Sequence, residues 1–257
     1  MTSIDDSVVL VTGGQRGLGK ALVDEFLARD ARTVYATARQ PVPSKDARIV
    51  PVALDVNDDV SVREVAALAR DTTIVVNNAG ALQQVALLGV SIADAKALFE
   101  TNVFGALRVA QALAPILAGN GGGALVDIAS ALSWAAGAGV YGATKAALWS
   151  LTNSLRIDLA DQHTLVVGVH LGFTDTDMTT EFDVIKNDPR DVAAQVVSAV
   201  AEGRTEVLAD DFSRRLKVAV AGPVEGLGFR FVDGEAVPIG EPVTGQHFPC
   251  PEARHIG

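Results

Sequence analysis

The stretch SVVLVTGGQRGLGKALVDEFLAR, residues 7–29, decides the fold. Residues 7–12 are mostly apolar and β-branched, the pattern of a strand buried on both faces. From Leu18 to Arg29 apolar residues recur at helical spacing. Between the two runs stand Gly13, Gly17 and Gly19, in the order G-x-x-x-G-x-G. Such a turn needs residues without a Cβ, because backbone amides must come close to a ligand. A helix starting there offers unpaired N–H groups and the positive end of its dipole to a phosphate. Strand, glycine turn and helix in this order predict a dinucleotide site, with Gln15, Arg16 and Leu18 completing the turn. A plain strand-to-helix turn is the alternative, and the position directly after the first strand argues against it.

Outward from this stretch the alternation continues. Strands are predicted over 33–38, 49–54, 73–78, 124–129, 164–170 and 205–210, and helices over 59–70, 91–118, 139–161 and 189–203. Ser91 followed by Asp94 marks a helix start, and the last helix opens on Pro189 and closes on Gly203. Continuously apolar strands separated by helices predict an α/β fold. It is a Rossmann-type doubly wound parallel sheet of about seven strands, with helices on both faces and right-handed crossovers. Residues 1–221 form the single predicted domain. Residues 222–257 are rich in glycine and proline and lack a helical period. They predict an irregular tail, with FRFV (229–232) as its strand candidate and disorder as the alternative.

The bulk numbers narrow the function. The chain has 257 residues, enough for one α/β domain with a sizeable core. Its net charge of −10 repels phosphate backbones, so nucleic acid is not an expected partner. No run of about 18 apolar residues suggests a membrane span. The N-terminus lacks the basic and long apolar regions of a signal peptide. Cys250 is the only cysteine, which rules out an internal disulfide and fits a reducing cytoplasm.

The second predicted strand ends TVYATAR (33–39) with no carboxylate. An acid there would bond an adenosine ribose and repel a 2′-phosphate. Arg39 and Arg16 instead suit a phosphate dianion, so NADP(H) is preferred over NAD(H). A solvated surface charge is the alternative for Arg39. Asp55, in VALDV (52–56) beside Val56, can bond an adenine amino group or act as a turn acid or helix cap.

In VYGATKAAL (140–148), Tyr141 and Lys145 stand four apart, one turn along the same helix face. A fixed cation there favours tyrosinate and lowers the phenol's pKa from near 10. Gly142, Ala143 and Thr144 between them are small and leave room for a ligand. Ser130 ends the fifth strand, at the carboxyl edge of the sheet, where its hydroxyl can donate to a developing alkoxide. Ser133 is the competing choice.

TGGQRGLG (12–19), NNAG (77–80), Ser130 and YGATK (141–145), in that order, resemble the short-chain dehydrogenase/reductase family over about residues 5–215. The resemblance implies hydride transfer between a nicotinamide and a carbonyl or alcohol. By it, Tyr141 is the proton donor and acceptor, and Lys145 holds the nicotinamide ribose hydroxyls. Ser130 orients the substrate carbonyl, and Asn102, in FETNVFGAL (99–107), supports a water in the proton relay. Asn78, Ala79 and Gly80 line the cofactor cleft. HLGFTDTDM (170–178) resembles the family's PGxVxTxM segment, so Thr176 bonds the carboxamide and Thr174 contributes its backbone. Leu171 replaces the usual proline, and Thr174 the usual Val or Ile. The family's pairing of the helices here predicted at 91–118 and 139–161 implies a homodimer or homotetramer.

The segment 173–187 is the expected substrate loop. Leu82, Trp134, Phe173 and Phe182 are candidates for an apolar pocket or for core. His163 and His170, at the ends of the sixth strand, suit structural roles. His247, Cys250 and His255 match no zinc spacing, so no metal is expected. The combined reading is an NADP(H)-dependent carbonyl reductase or alcohol dehydrogenase on a small-molecule substrate. The alternative is a regulator that senses NADP(H) without turnover.

Overall fold

Short apolar strands need neighbours on both edges and cover on both faces, and the alternating helices supply the cover. A computed structural model of the chain describes residues 2–83, 85 and 87–238. Seven strands form one parallel sheet: β1 Val8–Val11, β2 Thr33–Ala38, β3 Ile49–Ala53, β4 Ile74–Asn77, β5 Gly123–Ile128, β6 Thr164–His170 and β7 Glu206–Leu208. Their spatial order is β3-β2-β1-β4-β5-β6-β7. The order reverses between β1 and β4, and the crevice beyond their carboxyl ends is the ligand position of doubly wound sheets.

Alternation along β1 shows how the two faces are built. Val9 and Val11 face α1 (Gly17–Ala28) and α6 (Pro189–Glu202), packing with Leu22, Phe26, Val196 and Val200. Leu10 points the other way, into a core shared with Val62 and Val65 of α2 (Asp59–Leu68) and Leu113 of α4 (Ala106–Gly119). Burying one such side chain contributes about 1.5–3 kcal/mol. Pro189 occupies the first turn of α6 and Gly203 ends it at φ 72°, as the sequence predicts, and Asp188 caps it through Arg190 N.

The helix predicted over 91–118 is interrupted. After α3 (Ile92–Phe99), capped by Ser91 as expected, a π-helical turn spans Glu100–Gly105 before α4 begins. Arg108 braces this widened turn by bonding Glu100, Asp59 and the carbonyl of Val56. At Gly105 a Cβ would lie 2.8 Å from Val56 Cγ2, so only glycine lets the two segments touch. The run Ile92–Gly119 is long and apolar enough to cross a membrane by composition. Here Leu98, Val103, Val109, Leu113 and Leu117 are buried, and the last three of these pack into the core beneath the sheet.

Two expectations change beyond α5 (Gly139–Asp158) and α6. An unpredicted helix, α7, spans Asp211–Ala219 and is capped by Asp210 through Ser213 N. The segment 222–238 is not irregular: after a 3-10 turn at Val224–Leu227, β8 (Phe229–Val232) and β9 (Glu235–Pro238) form an antiparallel hairpin. Its turn is Asp233–Gly234, with φ of 49° and 81°, the Asp-Gly signature of a tight hairpin. The hairpin is held by Ile185 N donating to Gly234 O, and the 3-10 turn by Ala136 N donating to Leu227 O. Phe231 packs on Phe173, and Phe229 on Phe212. His247, Cys250 and His255 lie outside the described residues.

Candidate active site

At the end of β1 the chain turns through Gly13 and Gly17, at φ of 64° and 50°, conformations that disfavour side chains. A Cβ on Gly19 would sit 2.1 Å from Gly13 O, so the helix start and the turn can close together only at glycine. Arg16 is the N-cap of α1 but makes no side-chain cap, and no acid occupies the first turn. The first N–H groups of the helix are left to a ligand. These features fit a dinucleotide pyrophosphate. A clamp the sequence reading missed holds the turn to β4. Thr12 Oγ1 accepts from Asn78 N and Ala79 N, each at 2.9 Å, and Asn78 Nδ2 donates to Thr12 O at 2.9 Å. The TG pair and the NNAG run signalled both halves but not their contact.

A cleft of about 960 Å³ opens above this turn. It is lined by Gly13, Gln15, Arg16, Gly17, Leu18, Gly19, Arg39, Asp55, Val56, Asn78, Ala79 and Gly80, and by Ser130, Tyr141, Lys145, Thr174 and Thr176. Of the predicted site residues only Asn102 is not part of the lining. Gln15 spends its side chain on Val42, pairing with both backbone groups at 2.8 and 2.9 Å. It thereby ties the segment after β2 to the glycine turn. Arg39 is exposed and makes no hydrogen bond or ion pair among the described residues. Arg16 pairs loosely with Asp177 at 3.6 Å. Asp55 accepts from Asn57 N at 2.9 Å, a turn role that coexists with its place in the lining. The cap of α2 is Asp58.

Ser130 follows β5 in extended conformation and caps a 3-10 turn, with its Oγ accepting from Leu132 N at 3.1 Å. Ser133 lies on that turn, buried and outside the cleft lining, with its N donating to Ser130 O at 3.1 Å and its Oγ without a hydrogen-bond partner among the described residues. From α5, Lys145 Nζ donates to Ile128 O at 2.8 Å and lies 5.7 Å from the centroid of the Tyr141 ring. A Cβ on Gly80 would be 3.3 Å from Asn102 Oδ1 and 3.8 Å from Lys145 Nζ, so the three residues converge. Asn102 lies in the π turn and pairs with Ala81: its Oδ1 accepts from Ala81 N at 2.8 Å and its Nδ2 donates to Ala81 O at 2.9 Å. It also donates to Thr144 Oγ1 at 3.0 Å, linking the turn to α5.

The electrostatics differ from the sequence expectation. Burial pushes Tyr141 up to about 12, and a hydrogen bond with Ser130 only partly offsets it. Burial also lowers Lys145 to about 8, against the pull of the Asp127 carboxyl. The ammonium is spent on Ile128 O, and the phenol's shift is set by desolvation and Ser130. Asp127 is itself buried and raised by desolvation, although Asn77 and Thr152 bond it at 2.9 and 2.7 Å.

The loop after β6 is fixed despite Leu171 and Thr174. Leu171 O accepts from Ala131 N at 2.9 Å, and Thr174 bridges to Asn187. Asp210 Oδ2 takes Gly172 N and Asn187 Nδ2, each at 2.6 Å, a tether the sequence reading missed. Leu82, Trp134, Phe173 and Phe182 stand outside the cleft lining. Trp134 belongs to the core with Phe212 and Leu216, and Phe173 and Phe182 pack on each other. His163 lies at the opposite end of the sheet, and His170 is buried behind Ser130.

Comparison with known proteins agrees with this fold. A family profile described as short chain dehydrogenase matches residues 7–185. An uncharacterized oxidoreductase of Staphylococcus aureus (strain N315) is 27% identical over 219 residues, covering 79% of this chain and 94% of the relative. An NADP-dependent 3-hydroxy acid dehydrogenase of Schizosaccharomyces pombe is 27% identical over 240 residues, covering 82% and 93%. Among solved structures, a short chain dehydrogenase from Burkholderia cenocepacia J2315 in complex with NADP superposes with a TM-score of 0.80. It is 32% identical and covers 86% of this chain and 95% of its own.

Proposed function

The chain belongs to the short-chain dehydrogenase family, an NAD(P)-dependent oxidoreductase family, and from that membership we propose an NADP(H)-dependent carbonyl reductase or alcohol dehydrogenase. Its substrate class is a ketone, an aldehyde or a secondary alcohol. The observation that carries the reading is that Ser130, Tyr141 and Lys145 line the same cleft as the glycine turn.

When bound, the nicotinamide supplies or accepts the hydride. Gly13, Gly17 and Gly19, with the open amides of α1, would hold its pyrophosphate. Tyr141 carries a proton throughout the neutral range and can give it to an oxygen that gains charge. Ser130 supplies a second hydroxyl donor to that oxygen. Lys145, anchored on Ile128 O, would hold ribose hydroxyls, and Asn102 would keep the adjoining π turn in register. With its pKa raised to about 12 the phenol is a weaker acid than free tyrosine, but at neutral pH it stands almost wholly in the protonated form that carbonyl reduction needs.

The preference for NADP(H) is supported by the free Arg39 guanidinium at the cleft and by the missing acid after β2. It accords with the NADP-bound and NADP-dependent relatives. The test is absorbance at 340 nm with NADPH or NADH and a panel of aldehydes and ketones. NADPH turnover lost in Tyr141→Phe supports the reading; binding of NADPH with no turnover on any carbonyl supports the sensing alternative.

A homo-oligomer is part of the same proposal. Phe104 of the π turn and Ile157 of α5 are 47% and 78% exposed, an apolar surface on the helices expected to pair. Sedimentation velocity should give a dimer or tetramer, and Ile157→Glu should shift it toward monomer.

A further inference from the structure

We propose that His170 is a positioning residue: its Nδ1–H holds the main-chain carbonyl of Ser130 and thereby aims the Ser130 hydroxyl into the cleft. The inference rests on the carbonyl-reductase reading for its kinetic consequence, and on geometry alone for the bond.

The β5–β6 ladder ends at Ile128 opposite Val169. Beyond it two consecutive residues of the second chain segment hold the Ser130–Ala131 peptide from its two polar sides. His170 Nδ1 lies 3.2 Å from Ser130 O, and Leu171 O accepts from Ala131 N at 2.9 Å. The side-chain hydroxyl bonds backbone groups, donating to Leu171 O at 3.4 Å and accepting from Leu132 N at 3.1 Å. Its direction therefore follows the backbone that carries those groups.

A carbonyl only accepts, so Nδ1 must carry the proton and Nε2 must be bare in the neutral ring. The surroundings agree. Nε2 is buried with no hydrogen-bond partner among the described residues. The nearest acid, Glu206 Oε1, is 3.9 Å away and is engaged by Lys217 Nζ at 2.7 Å. The ring is 1% exposed and stacks on Trp134 at 4.1 Å and 27°, with Lys217 Nζ 4.9 Å over the other ring. Burial holds the ring down to about 4, and the charged groups facing it are Glu206, Lys217 and Lys145. The imidazole therefore stays a neutral, single donor at working pH. It touches neither the cleft nor any reacting atom, so its effect runs through Ser130.

Two substitutions separate donor from ring. In His170→Asn the amide nitrogen falls near the Nδ1 position, keeping the donor and losing the stack. In His170→Phe the stack remains and the donor is lost. The expected result is a kcat for ketone reduction lower by about tenfold or more in His170→Phe, with His170→Asn within about threefold of the parent. KM for NADPH should be unchanged in both. A His170→Phe protein with parental kcat, or equal losses in the two variants, overturns the proposal. If a variant fails to fold, the nitrogen-15 spectrum of the histidine-labelled parent decides. An Nδ1–H tautomer that does not titrate between about pH 6 and 8 supports it, and an Nε2–H tautomer overturns it. Should the parent reduce no carbonyl at all, the function reading falls while the spectrum still judges the bond.

Discussion

Burial draws Tyr141 and Lys145 toward their neutral forms, Tyr141 up to about 12 and Lys145 down to about 8. The two shifts have different kinetic signs. The phenol is protonated throughout the neutral range, so reduction is not limited by its titration there. The ammonium is present below about pH 8 and is lost as pH rises through it. The rate of ketone reduction, followed as kcat/KM, should therefore be flat at neutral pH and decline above about pH 8; a profile flat to about pH 10 would contradict the buried amine. Tyr141→Phe removes the proton donor without changing the ring. It should lower kcat by about 10²–10⁴-fold and leave NADPH binding, read by fluorescence, near parental. Arg39→Ala removes an exposed charge with no partner to strand among the described residues, so folding should be indifferent. Losing a charge-assisted bond to a 2′-phosphate amounts to about 1.5–3 kcal/mol. NADPH should then bind roughly tenfold or more weakly, with NADH unaffected.

The clamp between β1 and β4 is where the elements make the site. Thr12→Val keeps the shape but removes an acceptor shared by Asn78 N and Ala79 N. Asn78 N keeps Val76 O, so the loss leaves the half-buried Ala79 N unpaired and costs about 1–3 kcal/mol. A lower urea midpoint with weakened binding of both dinucleotides is expected; weakened NADPH binding alone would mean that Thr12 acts on the phosphate instead. Legibility in the sequence followed how local each cause is. Strand, glycine turn and helix at 7–29 were readable because sterics and hydrophobic period act within a few residues. The cap at Ser91 and the Pro189–Gly203 helix were readable for the same reason. The π turn was not, because Asn102 is held by Ala81 and Thr144, and the turn is braced by Arg108 on Asp59 and Val56, all distant in sequence. The polar run DFSRRLKVA hid α7, whose buried face is chiefly Phe212 and Leu216. Asp233–Gly234 was a readable hairpin signal that the composition of the surrounding segment masked.

Across the whole molecule, the C-terminal segment joins the two loops that flank the catalytic groups. The 3-10 turn bonds the segment after Ser130, through Ala136, and the hairpin bonds the loop after β6, through Ile185. Phe229 of the hairpin packs against the cluster that holds Trp134, on which the buried His170 stacks, and the histidine's charge state therefore bears on global stability. Its folded pKa of about 4 lies below the ordinary 6.5. Between those values the unfolded chain binds the proton and the folded chain does not, so stability is lost as pH falls from about 6.5 toward 4. The shift sets an upper bound of about 3 kcal/mol. Asp127, raised by burial, slopes the opposite way, since its neutral form is favoured in the fold and that contribution fades as pH rises. Urea unfolding at about pH 7 and about pH 4.5 should separate the two. The parent should lose more stability than His170→Phe between the two pH values, and the difference is the histidine's share. Equal losses in both proteins would mean that His170 accepts a proton inside the fold, and that the packing around it yields before the chain unfolds.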